Sequence, residues 1–314
     1  YVTYSKYKQY MHEFKINNLQ ETENMIEKQR MIKDEEEIEK ISKACEITDN
    51  CFKYLLDYIK VGKTEKEIAF EIEKYFRTHG AEDKAFDTIV ASGKNSSKPH
   101  AVPTDRKIDL GDPITIDFGC KYEGYCSDMT RTFFVGEPTE EMKHIYTLVL
   151  KAHIQLELVK FPDGASGTQL DAVGRECMWR EGYNFLHGTG HGVGSYLCVH
   201  EGPHQIRMEW MPTPLRAGMT LTDEPGLYLA GKFGVRIENT VLISDYLSTE
   251  FGKFLQIEPL TLCPIDTTPI DVDMLLPEEI EWLNDYHQLV YEKLSPFLNE
   301  EEKLWLKNAT KPIK

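Results

Sequence analysis

Carboxylate side chains occupy positions in this chain where an apolar side chain would be expected. Asp117 lies between Ile116 and Phe118, and Glu238 lies inside the apolar run 235–243. A carboxylate that is buried in such a segment is costly unless a partner compensates its charge. A fold of this chain must therefore supply these acids with a cation or with another positive group.

A set of oxygen-rich ligands follows along the chain, each in a strand-like segment or a glycine-rich turn: Asp117, Asp128, His191, Glu224 and Glu238. Four carboxylates and one imidazole suit hard or borderline divalent cations better than a thiolate site would. We expect the set to bind two such cations that share a bridging hydroxide. Two neighbouring metals favour hydrolysis, because they make water nucleophilic at neutral pH.

The segment 114–135 is typical of a β-hairpin, because two β-rich runs flank a short turn near residues 121–124. In that register Asp117 and Asp128 lie on one face of the hairpin as diagonal neighbours. Two like charges on a buried face repel each other unless a cation lies between them. The alternative, two exposed acids on an edge hairpin, is disfavoured by the apolar residues around them.

Three histidines lie between positions 187 and 200, where glycine recurs at every second position from 188 to 194. His187 and His191 are four residues apart, but these glycines make a helix unfavourable. They indicate instead a backbone that must approach another group closely. His187, His191 and His200 are therefore predicted to belong to a site. His100 lies in a loop beside two prolines and has no such context of its own.

Glu224 follows a short β run, and Glu238 lies in the predicted strand Val235–Ile243. Arg236 is two positions from Glu238 on the same face, so an ion pair between the two is a purely structural alternative. A shared metal explains Glu238 together with the other four ligands, whereas the ion pair alone does not. The metal is the interpretation that we favour.

Apolar periodicity predicts two helix pairs, each followed by strands, without a clear sequence repeat. Thr64 and Glu67 form a predicted capping box, and the acidic stretch 34–37 is typical of a solvated helix N-terminus. The tail after residue 250 is expected to pack or to contact a subunit. The predicted helices cover about 38–62, 64–80, 140–160, 169–181, 277–298 and 300–306, and the predicted strands cover 86–91, 113–118, 125–135, 235–243 and 254–266.

Composition argues against several classes of partner. The chain has 314 residues and a net charge of −16, which disfavours nucleic acid and anionic membranes. No apolar run approaches the roughly 18 residues of a membrane span. Seven cysteines without a CxxC pair indicate neither a disulfide framework nor a zinc–thiolate site. A reducing cytoplasm is therefore the expected compartment.

Several motifs resemble the pita-bread metallopeptidases, especially Xaa-Pro aminopeptidases and dipeptidases: SGKNSSKPHA, DFGCKYEGYCSDMTRT, HGTGHGVG with VHEGP, DEPGLY and GVRIEN. The resemblance covers about residues 30–263. It implies an α+β fold with a curved antiparallel sheet and two helix pairs in pseudo-twofold halves. It also implies that residues 1–31 are the remnant of a junction to a missing N-terminal domain, that 32–250 form the catalytic domain, and that 251–314 are an extension packed on it.

The resemblance further implies a dinuclear site, usually of manganese, with Co²⁺, Zn²⁺ or Fe²⁺ as alternatives. Asp128 and Glu238 would bridge the two ions, His191 and Glu224 would complete one side, and Asp117 would complete the other. Arg236 would orient ligands from behind. The implied catalytic residues are Glu224 as acid and base, with His200, His100 and His187 around the substrate.

The implied function is an aminopeptidase that hydrolyses the N-terminal Xaa-Pro bond of peptides and forms a cytoplasmic homodimer. An Xaa-Pro dipeptidase (prolidase) is one alternative. Methionine aminopeptidase is another, although the VHEGP and SSKPHA contexts disfavour it. A metal-free pita-bread protein, acting as a binding module, a histone chaperone or an amidinohydrolase, is disfavoured because all five ligands are present. No nucleic-acid or membrane partner is expected.

Overall fold

The computed structural model describes residues 2–15 and 22–314. The predicted junction segment 1–31 thus includes residue 1 and residues 16–21, which lie outside the described residues. The helices are α1 (Tyr4–Glu13), α2 (Met25–Arg30), α3 (Glu35–Tyr58), α4 (Glu65–Thr78), α5 (Glu140–Leu158), α6 (Gly167–Arg180), α7 (Pro277–Leu294) and α8 (Glu300–Ala309).

The strands alternate with the helix pairs as the sequence predicted. They are β1 (Asp83–Lys84), β2 (Ile89–Ser92), β3 (Pro113–Phe118), β4 (Cys120–Tyr122), β5 (Tyr125–Cys126), β6 (Met129–Phe134), β7 (Phe161–Pro162), β8 (Gly190–Val193), β9 (His200–Ile206), β10 (Thr220–Asp223), β11 (Gly226–Leu229), β12 (Phe233–Arg236), β13 (Asn239–Thr249) and β14 (Gly252–Pro259).

Helices α3 and α4 each begin with a capping box. Asp34 Oδ1 accepts a hydrogen bond from the Glu37 backbone at 2.9 Å, and Thr64 Oγ1 accepts one from the Glu67 backbone at 3.1 Å. The carboxylates of Glu37 and Glu67 in turn accept hydrogen bonds from the backbone N–H groups of Asp34 and Thr64. These bonds satisfy donors that a helix N-terminus leaves free, so both predicted helix starts are confirmed.

The first helix pair covers one face of the antiparallel sheet β2–β3–β6. Ile114, Ile116 and Phe118 of β3 are fully buried in the same apolar cluster as Ile72 and Phe76 of α4. Side chains alternate along a strand, so Asp117 is presented on the other face of this sheet. Burial of the apolar face thus fixes the direction in which the acid points.

The second helix pair packs against a six-stranded antiparallel sheet in the order β7–β14–β13–β10–β8–β9. Leu156 of α5 and Leu170 of α6 share an apolar cluster with Leu221, Val241 and Leu255 of this sheet. The two halves meet where Glu238 forms an isolated bridge with Thr130, whose carbonyl accepts the Glu238 N–H at 3.1 Å. A predicted ligand therefore lies where the two halves are joined.

Several predicted element bounds are wrong. Strand β2 begins at Ile89, because Phe86 packs instead into a small cluster with Cys126. The predicted strand 235–243 is two strands, since Glu238 between them pairs with the opposite half. Strand β14 ends at Pro259, and α7 ends at Leu294, where a 3₁₀ turn follows.

The C-terminal tail packs on the second half. Lys151 of α5 forms an ion pair of 2.6 Å with the buried Glu279 of α7, and Leu283 and Val290 are fully buried. Helix α7 of the tail therefore packs against α5 of the second helix pair. Among the described helices, none combines the length and the apolar character that a membrane span needs.

Candidate functional site

One cavity of about 650 Å³ collects every residue that the sequence predicted for the site. It opens between the two halves of the fold. Its lining includes the predicted ligands and the predicted substrate-facing histidines: Asp117, Asp128, His191, Glu224, Glu238, His100, His187 and His200.

The predicted hairpin places Asp117 and Asp128. Thr130 is the register partner of Asp117, so Asp128, two residues earlier, is a diagonal neighbour. The turn lies at Glu123 and Gly124, which have positive φ values of 46° and 83°. This conformation suits a two-residue hairpin turn, and the predicted hairpin and its turn are confirmed.

His191 lies in β8, where glycines allow the strands to pack closely. A Cβ atom at Gly190 would overlap the backbone carbonyl of Thr222, which confirms the close approach that the glycines indicated. His191 Nδ1 donates to the Gly192 carbonyl at 3.0 Å. In the neutral ring Nε2 therefore carries the lone pair, and this atom lies 3.3 Å from Asp128 Oδ2 and 3.6 Å from Glu224 Oε1. A histidine held in this tautomer is prepared for a metal ion.

Arg236 pairs with Asp117 rather than with Glu238. Its Nη2 is 2.6 Å from Asp117 Oδ2, and its Nε donates to Thr130 Oγ1 at 3.1 Å. Thr130 in turn donates its hydroxyl to Glu238 Oε2 at 2.5 Å. The alternative of an Arg236–Glu238 ion pair is therefore wrong, because the other half of the fold supplies both residues with partners.

The acids of this site are crowded and buried. Asp128 and Glu238 are only 3% and 2% exposed. Burial raises the pKa of Asp128 to about 7 and, together with the Asp128 charge, raises the pKa of Glu238 well above its usual range. Asp117 Oδ1 has no hydrogen-bond partner among the described residues. Acceptor oxygens in excess of donors are what a divalent cation needs, so the donor set fits metal ions.

One ligand atom from each of Asp128, His191 and Glu238 can be chosen so that all three lie within 4.8 Å of one another. Glu224 Oε1 lies 3.6 Å from His191 Nε2, and Asp117 lines the same cavity beside Arg236. The five predicted ligands thus line one cavity. The chemistry of such a set is activation of water and of a carbonyl group.

Two of the predicted substrate-facing histidines lie in exposed positions of the cavity lining. His100 follows a 3₁₀ turn, Gly93–Ser97, and His200 begins β9. The rings of His200 and His191 lie 4.2 Å apart between centroids. His200 therefore lies against one of the predicted ligands.

His187 is held by a chain of hydrogen bonds. Arg236 Nη1 donates to the Tyr228 hydroxyl at 2.8 Å, and that hydroxyl lies 3.0 Å from His187 Nε2. His187 Nδ1 donates to the Gly188 carbonyl at 2.7 Å, so Nε2 accepts from Tyr228. Burial also lowers the pKa of His187, which favours the neutral ring. His187 therefore lines the cavity as a neutral ring whose two nitrogens already have hydrogen-bond partners, and it does not supply a proton there.

Sequence reasoning missed three residues that hold the site: Thr130, Thr222 and Tyr228. Thr222 donates to Glu224 Oε1 at 3.1 Å and accepts from the His191 backbone at 3.0 Å. Each lies within four positions of a predicted ligand. Closeness in sequence to a predicted ligand was the signal available for these residues. It does not identify them, because a hydroxyl residue often lies near a ligand in sequence without contacting it.

Replacing Tyr228 by Phe is expected to lower the free energy of unfolding by about 1–2 kcal/mol, because His187 and Arg236 lose the half-buried hydroxyl that both contact. Urea unfolding of the purified protein measures this change. Tyr246→Phe, which removes the hydroxyl of an exposed tyrosine, is the matched control and should leave stability unchanged. Equal stability of both variants would show that the chain through Tyr228 contributes nothing.

Comparison with known proteins places this site in a family. The sequence profile of metallopeptidase family M24 matches residues 39–245, and that of the C-terminal region of peptidase M24 matches residues 253–313. The chain belongs to metallopeptidase family M24. Aminopeptidase P1 of Arabidopsis thaliana is 44% identical over 238 residues, which cover 73% of this chain and 37% of that protein.

A probable Xaa-Pro aminopeptidase P of Penicillium rubens is 38% identical over 314 residues, which cover 94% of this chain and 51% of that protein. The chain thus spans about half the length, or less, of these relatives of the M24 family.

Solved structures of the family share the fold. The X-prolyl aminopeptidase of Caenorhabditis elegans, described as a cytosolic enzyme with a di-nuclear active site, aligns with a TM-score of 0.86 and 35% identity over 92% of this chain and 50% of that chain. The prolidase of Pyrococcus furiosus aligns with a TM-score of 0.73 and 39% identity over 82% of this chain and 73% of that chain. The predicted pita-bread fold is confirmed.

Proposed function

We propose that this chain carries the catalytic site of an Xaa-Pro aminopeptidase, which hydrolyses the bond between an N-terminal residue and a following proline. The observation that supports it most strongly is the meeting of four acids and His191 in one cavity that substrate-facing histidines also line. The relatives named Xaa-Pro aminopeptidase P and the di-nuclear site of the Caenorhabditis elegans enzyme support it further.

Asp117, Asp128, His191, Glu224 and Glu238 would hold two divalent ions. Bound there, such ions would lower the pKa of water and polarise the carbonyl group that precedes proline. We propose Mn²⁺ as the ion, because the donors are mostly carboxylate oxygens, with Co²⁺, Zn²⁺ or Fe²⁺ able to occupy the same ligands. The homodimer and the cytoplasmic location expected from the family resemblance belong to the same proposal.

Glu224 is the proposed acid and base. Thr222 holds its Oε1 at 3.1 Å, while Oε2 lies 4.0 Å from His187 Nδ1, which already donates to a carbonyl. A carboxylate with one fixed oxygen and one free oxygen can take a proton from water and return it to the proline nitrogen that leaves. This return is necessary because the nitrogen departs as an amine.

The histidines are proposed to act on the substrate. His200 would donate a hydrogen bond to the developing oxyanion, with His100 beside it in the cavity lining. An Xaa-Pro bond offers no N–H to a hydrogen-bond acceptor, so recognition must come from the shape of the pocket. The half-buried ring of His187, packed edge-on against Tyr228 with centroids 5.5 Å apart, would supply a flat surface against which the pyrrolidine ring packs.

The second candidate is a prolidase, which the Pyrococcus furiosus neighbour supports. A peptide panel separates the two. With Mn²⁺ or Co²⁺ added, we expect the chain to cleave Arg-Pro-Pro and Ala-Pro-Ala at least tenfold faster, in kcat/KM, than the dipeptide Ala-Pro. Chromatography of the released amino acid gives the rates.

Ala-Ala-Ala serves as the control without proline, and Met-Ala-Ser tests the methionine aminopeptidase alternative. Both should be poor substrates if the pocket selects proline. Faster cleavage of Ala-Pro than of Ala-Pro-Ala would favour the prolidase. A protein that binds no divalent metal and cleaves none of these peptides after metal is added would refute the enzymatic proposal.

A further inference from the structure

A second group of ionisable side chains lies behind Glu224 and Glu238, closed off from solvent. Asp223 and Asn239 are register partners in β10 and β13, and each directly neighbours one of those glutamates. Since side chains alternate across a strand, Asp223 and Asn239 face α5 on the side of the sheet away from the cavity. The rear cluster, as we name it, consists of Asp223, Asn239, His153 and Glu157.

Short contacts join the members of the rear cluster. His153 Nδ1 is 3.1 Å from Asp223 Oδ2, and His153 Nε2 is 3.4 Å from Glu157 Oε1. Asn239 Nδ2 donates to Glu157 Oε1 at 2.8 Å and lies 3.2 Å from His153 Nε2. All four residues are buried. Helix α5 is thereby tied to both strands whose ends carry glutamate ligands.

Arg131 extends these contacts to the backbone of a ligand. Its Nη2 donates to Asn239 Oδ1 at 2.9 Å. Its Nη1 donates to the Glu238 carbonyl at 2.6 Å and to the Thr130 carbonyl at 3.0 Å. A continuous series of bonds thus runs from α5, through Asn239 and Arg131, to the point where the two halves of the fold meet.

The rear cluster offers acceptor atoms that a metal ion of its own could use. Both oxygens of Asp223 and one oxygen of Glu157 have no hydrogen-bond partner among the described residues, so these oxygens are available to coordinate a cation. The two carboxylates lie against different ring nitrogens of His153. One ligand atom from each of His153, Glu157 and Asp223 can nevertheless be chosen so that all three lie within 4.8 Å of one another. A metal ion held by these three groups is therefore the competing interpretation, and the number of ions bound per chain distinguishes it from a positioning role.

We propose that the rear cluster positions Glu224 and Glu238 for metal binding, with His153 and Glu157 as positioning residues that act through Asp223 and Asn239. This inference rests on the metal centre of the proposed function and does not depend on its substrate. A glutamate side chain is flexible. If its backbone is already held in place, the side chain loses less conformational freedom when it binds a metal ion. Groups that orient ligands from outside typically change metal affinity by about 10–100-fold.

Titration of the metal-free full chain with MnCl₂ in a calorimeter tests the proposal. His153→Ala should weaken Mn²⁺ binding by about 10–100-fold, since it leaves Asp223 and Glu157 without the imidazole between them. His153→Asn, whose amide can still reach Asp223, should regain part of the affinity. Glu157→Gln keeps the volume and should weaken binding by about tenfold, so it carries the test if His153→Ala does not fold.

Tyr146→Phe is the matched control, because it removes a hydrogen bond of 2.8 Å to the Asp266 carbonyl from the same buried helix. It should lower stability to urea but leave Mn²⁺ affinity within threefold of wild type. Folded His153→Ala and Glu157→Gln variants that also bind within threefold of wild type would overturn the proposal. So would a third Mn²⁺ per wild-type chain that Glu157→Gln loses, since the cluster would then be a metal site.

Failure of the positioning role and failure of the proposed peptidase function would give different results. A wild-type chain that binds two Mn²⁺ ions but cleaves no Xaa-Pro peptide would refute the peptidase, and the affinity comparison would still decide the role of the rear cluster. A wild-type chain that binds no Mn²⁺ would overturn the metal centre itself, and the positioning role with it.

Discussion

The Glu224→Gln variant is expected to cleave Ala-Pro-Ala about 10²–10⁴-fold more slowly than the wild type, the range over which general acid–base groups act. Glutamine keeps the volume of the side chain, and its carbonyl oxygen can still accept the Thr222 hydroxyl, which lies 3.1 Å from Glu224 Oε1. It cannot take a proton from water or return one to the proline nitrogen. Values of kcat at saturating Mn²⁺, with metal content checked for each preparation, measure the loss.

Asp87→Asn is the control for this substitution. Asp87 also lines the cavity, but its side chain is 98% exposed and far less constrained. We expect its kcat to stay within a factor of about three, because an exposed charge is screened by solvent. A Glu224→Gln variant that binds two Mn²⁺ ions and keeps the wild-type kcat would exclude Glu224 as the acid and base.

Local features of this fold could be predicted from the sequence, because neighbouring residues determine them. The capping boxes at Asp34 and Thr64 depend on a glutamate three residues later, and the hairpin at Glu123 and Gly124 depends on turn residues between two β-rich runs. The buried acids that line the cavity could be predicted for a related reason. A charge such as Glu238 in an apolar segment requires compensation wherever the segment lies.

Pairings between the two halves could not be predicted in the same way. Arg236 is two residues from Glu238 but binds Asp117, which lies 119 positions away along the chain. The break of the predicted strand at Glu238 has the same origin, since Thr130 replaces the expected sheet partner. Such choices depend on how two sheets approach each other, and that arrangement follows from packing of the whole core.

The rear cluster is an example, on a helix, of contacts that the sequence alone does not predict. His153 and Glu157 are four residues apart on α5, a spacing that on most helices indicates an exposed pair of little energetic importance. Only the tertiary structure shows that this face of α5 covers Asp223 and Asn239. A buried polar face and an exposed one have the same periodicity, so the sequence pattern does not distinguish them.

Removing the divalent metal is expected to abolish cleavage of Xaa-Pro peptides and to make the stability of the chain fall as the pH rises. In the metal-free protein, burial raises the pKa of Asp128 from 3.8 to about 7. The folded state then holds a proton that the unfolded chain releases above pH 4. Between about pH 4 and 7 each increase in pH therefore favours unfolding.

His191 acts in the same direction at higher pH. Burial alone would lower the pKa of His191. The hydrogen bond to Asp128 and the charges of Glu224 and Asp128 outweigh burial and raise the pKa from 6.5 to about 9. The stability that its proton contributes is fully present below pH 6.5 and is lost as the pH rises through 9. The metal-free protein should therefore weaken steadily from pH 5 to pH 9.

Urea unfolding in EDTA at several pH values, repeated with MnCl₂, measures both effects. Mn²⁺ at 100 times its Kd should add about 2.7 kcal/mol, because it binds the folded state alone. At one fixed Mn²⁺ concentration the addition should be larger at pH 8 than at pH 5.5, where protons compete for Asp128 and His191 and raise the Kd. Asp128→Asn is the control: it should lose the part of the EDTA pH dependence that lies below pH 7. Cleavage by protein that elemental analysis shows to be free of metal, or metal-free stability that rises with pH, would contradict this account of the site.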